Sequence, residues 1–361
     1  MGFDPRKPYN ELPALPPDAD VETKTILKKA ISAGRTLAEL KGLGESIPNQ
    51  SMLINTLVLQ EAKDSSEIEN IITTNDALFK AFTASTTRVD PATKEVLRYR
   101  EALWEGFNAL QKRPGLTTNL FIRTVQIIKQ NNSGIRNVRG TVIGNPRTGE
   151  VIFTPPEGES VIRGKLKDLE TFIHAEDALD PLIKLALIHY QFEAIHPFFD
   201  GNGRAGRIVN ILYLVMKGLL DLPVLYLSKY VIDRKAEYYH LLRQVTEKGA
   251  WEPWILYILD ATETTADFTR RRILDVRALM EETLTLAKQK LPPRVYSKEL
   301  IEILFRQPYT KGQFLVEAGI AERKTASGYL KELENIGILR SHKVGRENLY
   351  LNMKLYELLS Q

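Results

Sequence analysis

The sequence contains no cysteine, which excludes disulfide frameworks, thiolate zinc sites, iron–sulfur clusters and cysteine nucleophiles. Its five histidines are scattered along 361 residues, so a histidine-rich metal centre is not expected. Long apolar runs are missing too, because the most apolar stretch, residues 208–227, is interrupted by Asn210, Lys217 and Asp221 and predicts buried core. The net charge of +4 is only mildly basic, far below that of a protein whose whole surface is positively charged for nucleic-acid binding.

The composition is that of a globular protein, with 43% hydrophobic and 26% charged residues. The length is sufficient for two or three domains. Residues 1–20 are rich in proline and predict an extended arm, because proline opposes helix formation. This segment has no apolar core typical of an export signal, so the expected compartment is the cytoplasm and no membrane partner is expected.

Helical periodicity dominates the first part of the chain. Residues 23–82 predict helices, the first of which is expected to stop at Gly42 and Gly44. Asp90, followed by proline, predicts the cap and first turn of a further helix over residues 91–110.

The pattern then changes to alternating apolar and polar residues. Residues 142–156 alternate in this way around the turn signal Asn145–Gly149, which predicts a short β-hairpin. Helices are expected again from Ser160 onward. Their predicted positions include one opened by Asp180 and Pro181, one over residues 204–217 and a largely helical segment over residues 228–290.

A double proline after Leu291 predicts a domain joint. Beyond it, residues 294–361 predict three helices, near 297–306, 311–318 and 322–336, followed by two strands. The fold class is therefore expected to be mainly α, with a central β-hairpin and a small C-terminal α+β domain.

The segment that carries chemistry is HPFFDGNGRAGR, residues 196–207. Gly201 and Gly203 predict a turn at the start of a helix, where free backbone N–H groups and the helix dipole favour an anion. Arg204 and Arg207 are three residues apart, so both can lie on one helix face and bind a polyphosphate.

Two further residues of this segment extend that interpretation. Asp200 offers an oxygen ligand that could hold Mg²⁺ between phosphates. His196 offers a group that can accept a proton near neutral pH. Base, metal ligand, anion pocket and arginine pair together indicate phosphoryl or nucleotidyl transfer.

HPFFDGNGRAGR resembles the signature of Fic-domain proteins, HPFx[D/E]GNGRxxR, with every defined position matched. The resemblance implies a helical Fic core that transfers AMP from ATP to a hydroxyl side chain of a protein and releases pyrophosphate. It also implies that His196 is the general base and that Asp200 holds Mg²⁺ between the α- and β-phosphates. Arg204 would contact the β-phosphate and Arg207 would orient the γ-phosphate. The remaining phosphate-binding positions implied are Gly201, Asn202, Gly203, Ala205 and Gly206.

Two more segments fit the resemblance. Fic proteins carry a flap before the signature, and the hairpin over residues 142–156 stands in that place and could dock the target protein along its edge. Many relatives carry a tyrosine pair after the signature, matched here by Tyr238 and Tyr239. Either ring could stack on the adenine, and Tyr238 is the expected one.

The segment from Ser65 to Asn70 resembles the inhibitory motif of Fic proteins, [S/T]xxxE[G/N]. In relatives the glutamate of this motif lies beside the second arginine of the signature, so Glu69 is expected to pair with Arg207. A carboxylate there would occupy the place of the γ-phosphate, which predicts autoinhibition within the chain.

The C-terminal unit resembles a winged helix-turn-helix. Residues 294–361 contain 11 Lys/Arg and 8 Asp/Glu, a net charge of +3. DNA is therefore a candidate partner, with contacts to phosphates or base edges. The residues expected to make these contacts are Arg323, Lys324, Thr325, Ser327, Tyr329, Lys343 and Arg346. A protein contact or a dimer interface is the alternative use of this domain.

The predicted domains are a helical N-terminal region with the inhibitory helix over 1–94, a Fic core over 95–260, a helical linker over 261–293 and the winged helix over 294–361. The alternative to the adenylyltransferase is a nucleotide-responsive DNA-binding regulator. Removal of AMP from a modified protein by the same residues is a further alternative, and a homodimer is compatible with the resemblance.

Overall fold

The computed structural model describes residues 3–45, 50–84, 88–144 and 148–360. Over these ranges the chain is mainly helical, with two small antiparallel sheets, as the sequence predicts. The first part of the predicted hairpin turn, residues 145–147, lies outside the described residues. Within the described ranges no helix has both the length and the apolar character needed to cross a membrane.

The N-terminal region consists of three helices. Their bounds are α1 Lys24–Glu45, α2 Gln50–Ile68 and α3 Asn75–Thr83. The predicted stop at Gly42 and Gly44 is wrong, because α1 continues through both glycines. A glycine costs a helix only about 1 kcal/mol relative to alanine, so packing can carry a helix through it.

The central region contains seven helices and the hairpin among its described residues. The bounds are α4 Pro91–Lys112, α5 Thr118–Lys129, β1 Ile143–Gly144, β2 Val151–Phe153, α6 Glu159–His174, α7 Pro181–Ile195, α8 Asn202–Met216, α9 Leu227–Asp233 and α10 Lys235–Lys248. The predicted caps are confirmed. Asp90 accepts a hydrogen bond from the backbone N–H of Thr93 at 2.9 Å, and Asp180 accepts one from Leu182 at 2.8 Å.

Helix α7 forms the centre of this region. Nearly every one of its residues is buried, which is expected of a helix that is apolar on all sides. Helix α8 packs beside it and is joined to it by a short loop. These two rigid helices therefore hold the loop of residues 196–201 between their ends.

The next helix, α11 Trp251–Lys290, is 40 residues long. Near its start the indole N–H of Trp254 donates to the carbonyl of Ala186 in α7 at 2.8 Å. Along its length it pairs with α1, where Lys29 contacts Glu263 at 2.6 Å and also pairs with Asp260. Helix α11 thus connects the central region to the C-terminal unit.

The C-terminal unit has the predicted order of helices and strands, with two additions. Its elements are α12 Lys298–Ile303, β3 Tyr309–Thr310, α13 Gly312–Glu317, α14 Arg323–Asn335, β4 Leu339–Val344, β5 Glu347–Asn352 and α15 Met353–Ser360. The sequence did not predict β3 or α15. The sheet order is β3-β5-β4, all antiparallel. The Tyr309 hydroxyl donates to Asp76 of α3 at 2.6 Å, so this unit packs on the N-terminal region.

Candidate active site

The conformation of the loop between α7 and α8 is fixed by two left-handed backbone positions and by one side chain. His196 caps α7 in the left-handed conformation at φ 48°, and Gly201 precedes α8 at φ 83°. The amide of Asn202 accepts from the Phe198 N–H at 2.8 Å and donates to the Phe198 carbonyl at 2.7 Å. The Asn202 side chain therefore holds the loop together, which leaves only the backbone of this residue for an anion.

A cleft of about 580 Å³ opens beside this loop. Its volume is in the range of small-molecule binding sites. Of the residues predicted from the sequence, it is lined by Glu69, Asn70, His196, Gly203, Arg207 and Tyr238. The hairpin contributes Ile143, Gly144, Ile152 and Phe153 to the same cleft. The structure thus brings the loop, the end of α2 and the hairpin together.

Glu69 contacts Arg207 in this cleft. The Glu69 Oε1 atom lies 3.0 Å from Arg207 Nη2. Ser65 binds the same guanidinium twice, with its hydroxyl oxygen 2.7 Å from Nε and its carbonyl oxygen 2.8 Å from Nη2. A Cβ at Gly203 would lie 2.3 Å from Glu69 Oε1, so only glycine allows the carboxylate to approach this closely. The predicted pairing of Glu69 with Arg207 is present.

The end of α2 is held in place around Glu69. Asn70 has φ 61°, and the N–H of Ile71 donates to the Ser66 carbonyl at 3.0 Å. The Lys235 ammonium donates to the carbonyl of Ile68 at 2.5 Å. These contacts satisfy the last carbonyls of α2 and fix the position of the carboxylate.

Arg204 and Asp200 belong to an ion-pair network outside the lining of the cleft. Arg204 Nη1 lies 2.5 Å from Glu95 Oε1, and Lys129 Nζ bridges Glu95 at 3.0 Å and Asp200 at 2.6 Å. Although burial alone would raise it, the hydrogen bond and charge of Lys129 hold the pKa of Asp200 below its usual value. Arg204 is buried and bound to carboxylates here, and its predicted contact with the β-phosphate stays a prediction.

His196 is neutral near pH 7 in this structure. Burial, followed by the positive charge of Arg136, lowers the pKa of His196 to about 4. Its Nδ1 atom is buried and has no hydrogen-bond partner among the described residues. A neutral imidazole in the cleft can accept a proton, as the general-base assignment requires.

Sequence reasoning missed Arg136. Its backbone N–H donates to the carbonyl of Pro197 at 3.0 Å, and its Nε donates to the carbonyl of His196 at 2.7 Å. The same buried guanidinium also binds the carbonyl of Pro156 at the base of the hairpin. Arg136 therefore ties the loop to the hairpin, and no motif around it pointed to this role.

Glu193 was missed as well. It lines the cleft, and burial raises the pKa of its carboxyl to about 7. A Cβ at Gly206 would lie 2.6 Å from Glu193 Oε1, so Gly206 makes room for this carboxyl and packs α8 on α7. A signal was present in the sequence, because Glu193 lies only three residues before the candidate base His196.

The two tyrosines of α10 differ in their exposure. Tyr238 is 2% exposed, and its hydroxyl lies 2.9 Å from His189 Nε2 in a cluster with Trp254. Tyr239 is 47% exposed and also lines the cleft. Both rings line the cleft and Tyr239 is the more exposed, so the expected stacking of the adenine on Tyr238 stays a prediction.

Comparisons with known families match three regions of the chain. Residues 27–108 match the Fic/DOC family N-terminal domain, and residues 116–214 match the Fic/DOC family. Residues 279–355 match the C-terminal domain described as protein adenylyltransferase SoFic-like. The three matches take in the inhibitory segment, the loop and the C-terminal unit.

Curated relatives are similar over part of their length. The protein adenylyltransferase fic-1 of Caenorhabditis elegans is 29% identical over 174 residues, which is 46% of this chain and 32% of that protein. The protein adenylyltransferase Fic of Drosophila mojavensis is 27% identical over 185 residues, 50% of this chain and 36% of that protein. The chain thus spans about a third of the length of these relatives.

Solved structures share the fold. A Fic family protein from Desulfovibrio desulfuricans G20 has a TM-score of 0.54 at 18% identity and covers 91% of this chain and 96% of its own. The Fic-1 protein of C. elegans has a TM-score of 0.51 at 18% identity, covering 71% of this chain and 75% of its own. The signature, the three domain matches and the shared fold agree, and this chain belongs to the Fic/DOC family.

Proposed function

We propose that this chain is a protein adenylyltransferase that moves AMP from ATP to a Tyr, Ser or Thr hydroxyl of a protein and releases pyrophosphate. The observation that carries the proposal is the cleft in which His196, Arg207 and the pairing carboxylate of Glu69 meet. The names of the curated relatives support the same activity.

The residues divide the reaction between them. His196 takes the proton of the acceptor hydroxyl, whose oxygen then bonds to the α-phosphorus as the bond to pyrophosphate breaks. The N-terminus of α8, from Gly201 onward, binds phosphate oxygens through its backbone N–H groups. Arg207 binds the γ-phosphate once Glu69 has moved away, which aligns the leaving pyrophosphate.

Asp200 is the residue that would hold Mg²⁺. Its carboxylate is 61% exposed and is paired with Lys129 and Arg204. No cluster of three or more acidic or histidine residues suited to a metal occurs in the described ranges. One carboxylate fits Mg²⁺, which proteins commonly hold by one or two carboxylates together with substrate phosphates. When bound, the ion would neutralise charge on those phosphates.

The hairpin is the proposed docking element for the acceptor protein. Strand β1 pairs with β2 in antiparallel register, and β2 contributes Ile152 and Phe153 to the wall of the cleft. Val142, just before β1, is 51% exposed. An extended segment of the acceptor could add to a free edge of this hairpin and present its hydroxyl to His196.

The experiment that tests the function uses ATP labelled at either the α- or the γ-phosphate. Full-length protein carrying Glu69→Gly is incubated with Mg²⁺ and each form of ATP, and protein-bound label is counted. Adenylyl transfer places only the α-label on protein, whereas a kinase would place only the γ-label there. Release of α-label from pre-modified protein would instead favour AMP removal.

Tyr239→Ala is expected to weaken ATP binding about tenfold, because a stacked base loses the ring that it packs on. The measurement is calorimetric titration of ATP into the Glu69→Gly protein with and without this change. Tyr239→Phe is the control and should bind as before, since it keeps the ring. Equal ATP affinities of Tyr239→Ala and its parent would show that the adenine binds in another part of the cleft.

DNA binding by the C-terminal unit is a second candidate function, favoured by the exposure of Arg323 and Lys324 at the start of α14. Lys343 and Arg346 of the β4–β5 hairpin are exposed too. Tyr329 is not available for base edges, because its hydroxyl donates to the carbonyl of Arg294 at 2.9 Å.

Replacing Arg323 and Lys324 by alanine is expected to make the dependence of DNA affinity on salt shallower by roughly two ions. The measurement is fluorescence anisotropy of a labelled duplex at several salt concentrations. Lys298→Ala is the matched control, because this exposed lysine lies on α12, outside α14, and pairs with Glu302. The same salt slope in the double variant and the wild type would argue against DNA contact by α14.

A further inference from the structure

The N-terminal arm, residues 3–13, lies against the hairpin. The Tyr9 N–H donates to the carbonyl of Thr154 at 3.0 Å, and the Thr154 hydroxyl donates to the carbonyl of Pro5 at 2.6 Å. The Asn10 side chain accepts from the N–H of Glu157 at 2.8 Å. Three hydrogen bonds thus join the arm to the four residues that follow β2.

The arm is also fixed to the helical core. Lys165 of α6 donates to the carbonyl of Leu12 at 2.7 Å, and Gln191 of α7 donates to the carbonyl of Pro13 at 2.7 Å. Leu12 is 4% exposed. The arm therefore connects the rigid helices α6 and α7 to the end of the hairpin.

Three aromatic rings join the arm to the cleft. Phe3 stacks on Phe153 of β2 with ring centroids 6.0 Å apart, and Tyr9 meets Phe3 edge-on at 5.4 Å and Phe153 edge-on at 6.2 Å. Phe3 and Phe153 both line the cleft that contains His196. The arm is thus part of the wall of the cleft and a support for the strand beside it.

The hairpin needs such support. Its strands comprise only two and three residues, and an isolated two-stranded hairpin is at best marginally stable in water. Arg136 holds one point at its base, the carbonyl of Pro156. Without the arm, the segment from Phe153 to Glu157 would keep the pairing of Phe153 with β1 and the bond from the Gly140 N–H to Glu157, but Thr154 and the Glu157 N–H would lose their contacts. Part of the cost of ordering this segment would then fall to the incoming acceptor.

We propose that the N-terminal arm is a component of the acceptor-binding site, in which Asn10 and Tyr9 fix the hairpin and Phe3 completes the aromatic wall that the acceptor polypeptide contacts. This inference rests on the proposed adenylyl transfer. Tyr9 and Asn10 are positioning residues in it, because they act through the hairpin, whereas Phe3 lines the cleft itself. Tyr9 and Asn10 do not line the cleft, so nucleotide binding is expected not to depend on them.

The test compares Phe3→Ala and Asn10→Ala with their parent, all in full-length protein that carries Glu69→Gly. The acceptor is the full-length chain with His196→Ala, supplied at increasing concentration, so every enzyme meets the same polypeptide. Lys7→Ala is the matched control, since this exposed arm residue pairs only with Asp4 among the described residues. Hydrogen exchange of the backbone amides of residues 151–154 and 157 and ATP affinity are measured on the same proteins.

We expect the exchange of the backbone amides of residues 151–154 and 157 to rise about tenfold in both variants, as local contacts are lost. Transfer is expected to lose about tenfold in kcat/KM for the acceptor, with most of the loss in KM, since ordering the hairpin is added to the cost of binding. ATP affinity should stay unchanged in Asn10→Ala, because Asn10 does not line the cleft, and Phe3→Tyr should behave as the parent does.

Unchanged exchange would overturn the inference, because the arm would then not hold the hairpin. Faster exchange with unchanged acceptor kinetics would overturn it too, since the hairpin would then not need the arm for recognition. A failure of the proposed function has a different signature. In that case no enzyme, including the parent and Lys7→Ala, modifies the acceptor, whatever the exchange rates are.

Discussion

Glu69→Gly is expected to raise the rate of adenylyl transfer about 10- to 100-fold over the wild type, the range that corresponds to one hydrogen bond to a charged group. The Glu69 carboxylate lies 3.0 Å from Arg207 Nη2 and occupies the position proposed for the γ-phosphate. Without that carboxylate, the γ-phosphate of ATP can bind the Arg207 guanidinium, and the α-phosphate is presented for in-line attack.

The remaining contacts of Arg207 explain why the variant should stay competent. Ser65 binds the guanidinium at two points, 2.7 and 2.8 Å, and these bonds do not involve Glu69. Lys235 still caps α2 at the carbonyl of Ile68. Arg207 therefore keeps its orientation, and the site gains a free cation without losing its support.

The matched control for Glu69→Gly is Glu67→Gly, which puts the same residue type into the same helix end. Glu67 pairs with Lys63 at 3.3 Å and does not contact Arg207. The measurement is intact-protein mass spectrometry after timed incubation with ATP and Mg²⁺. Equal activation by both changes would trace the effect to loosening of α2. Activation by neither change would contradict autoinhibition by Glu69.

His196→Ala in the Glu69→Gly protein is expected to reduce transfer by about 10² to 10⁴, the usual contribution of a general base. Nucleotide affinity should be retained, because Arg207 and the N-terminus of α8 remain in place. The pKa of His196 is lowered to about 4 by burial first and by Arg136 second, so the group lost is a neutral proton acceptor at pH 7.

His196→Asn separates the chemical role from the structural one. His196 has φ 48°, a conformation that costs most non-glycine residues about 1 kcal/mol and that asparagine adopts more readily. Both variants should lose transfer alike, as judged by single-turnover rates, while calorimetry shows ATP binding in both. Activity retained by His196→Asn would make the position a structural cap.

The sequence predicts the parts of this molecule that depend on local rules. Asp90 and Asp180 cap helices where expected, and Glu69 meets Arg207 as the motif resemblance implied. Helix α5 was missed, although Thr117 caps it by accepting from the N–H of Leu120. That segment lies between the predicted helix over 91–110 and the predicted hairpin.

Other features depend on tertiary packing and could not be predicted. Which of two adjacent tyrosines is buried follows from the position of Trp254 on α11, which the sequence of α10 does not contain. The ion pair of Arg204 with Glu95 joins residues 109 positions apart. Arg136 likewise binds backbone carbonyls. Every residue has a backbone carbonyl, so no sequence motif could indicate these contacts.

Helix α11 separates the C-terminal unit from the cleft by a fixed length. Its 40 residues contain no glycine, and its one proline stands in the first turn, so no hinge residue interrupts a rod of about 60 Å. One end is fixed to α7 through Trp254, and the other carries the C-terminal unit, where Lys354 pairs with Glu282 at 2.7 Å. The helix therefore fixes the distance between the C-terminal unit and α7. A partner bound to the C-terminal unit would thus stand at a set distance from His196.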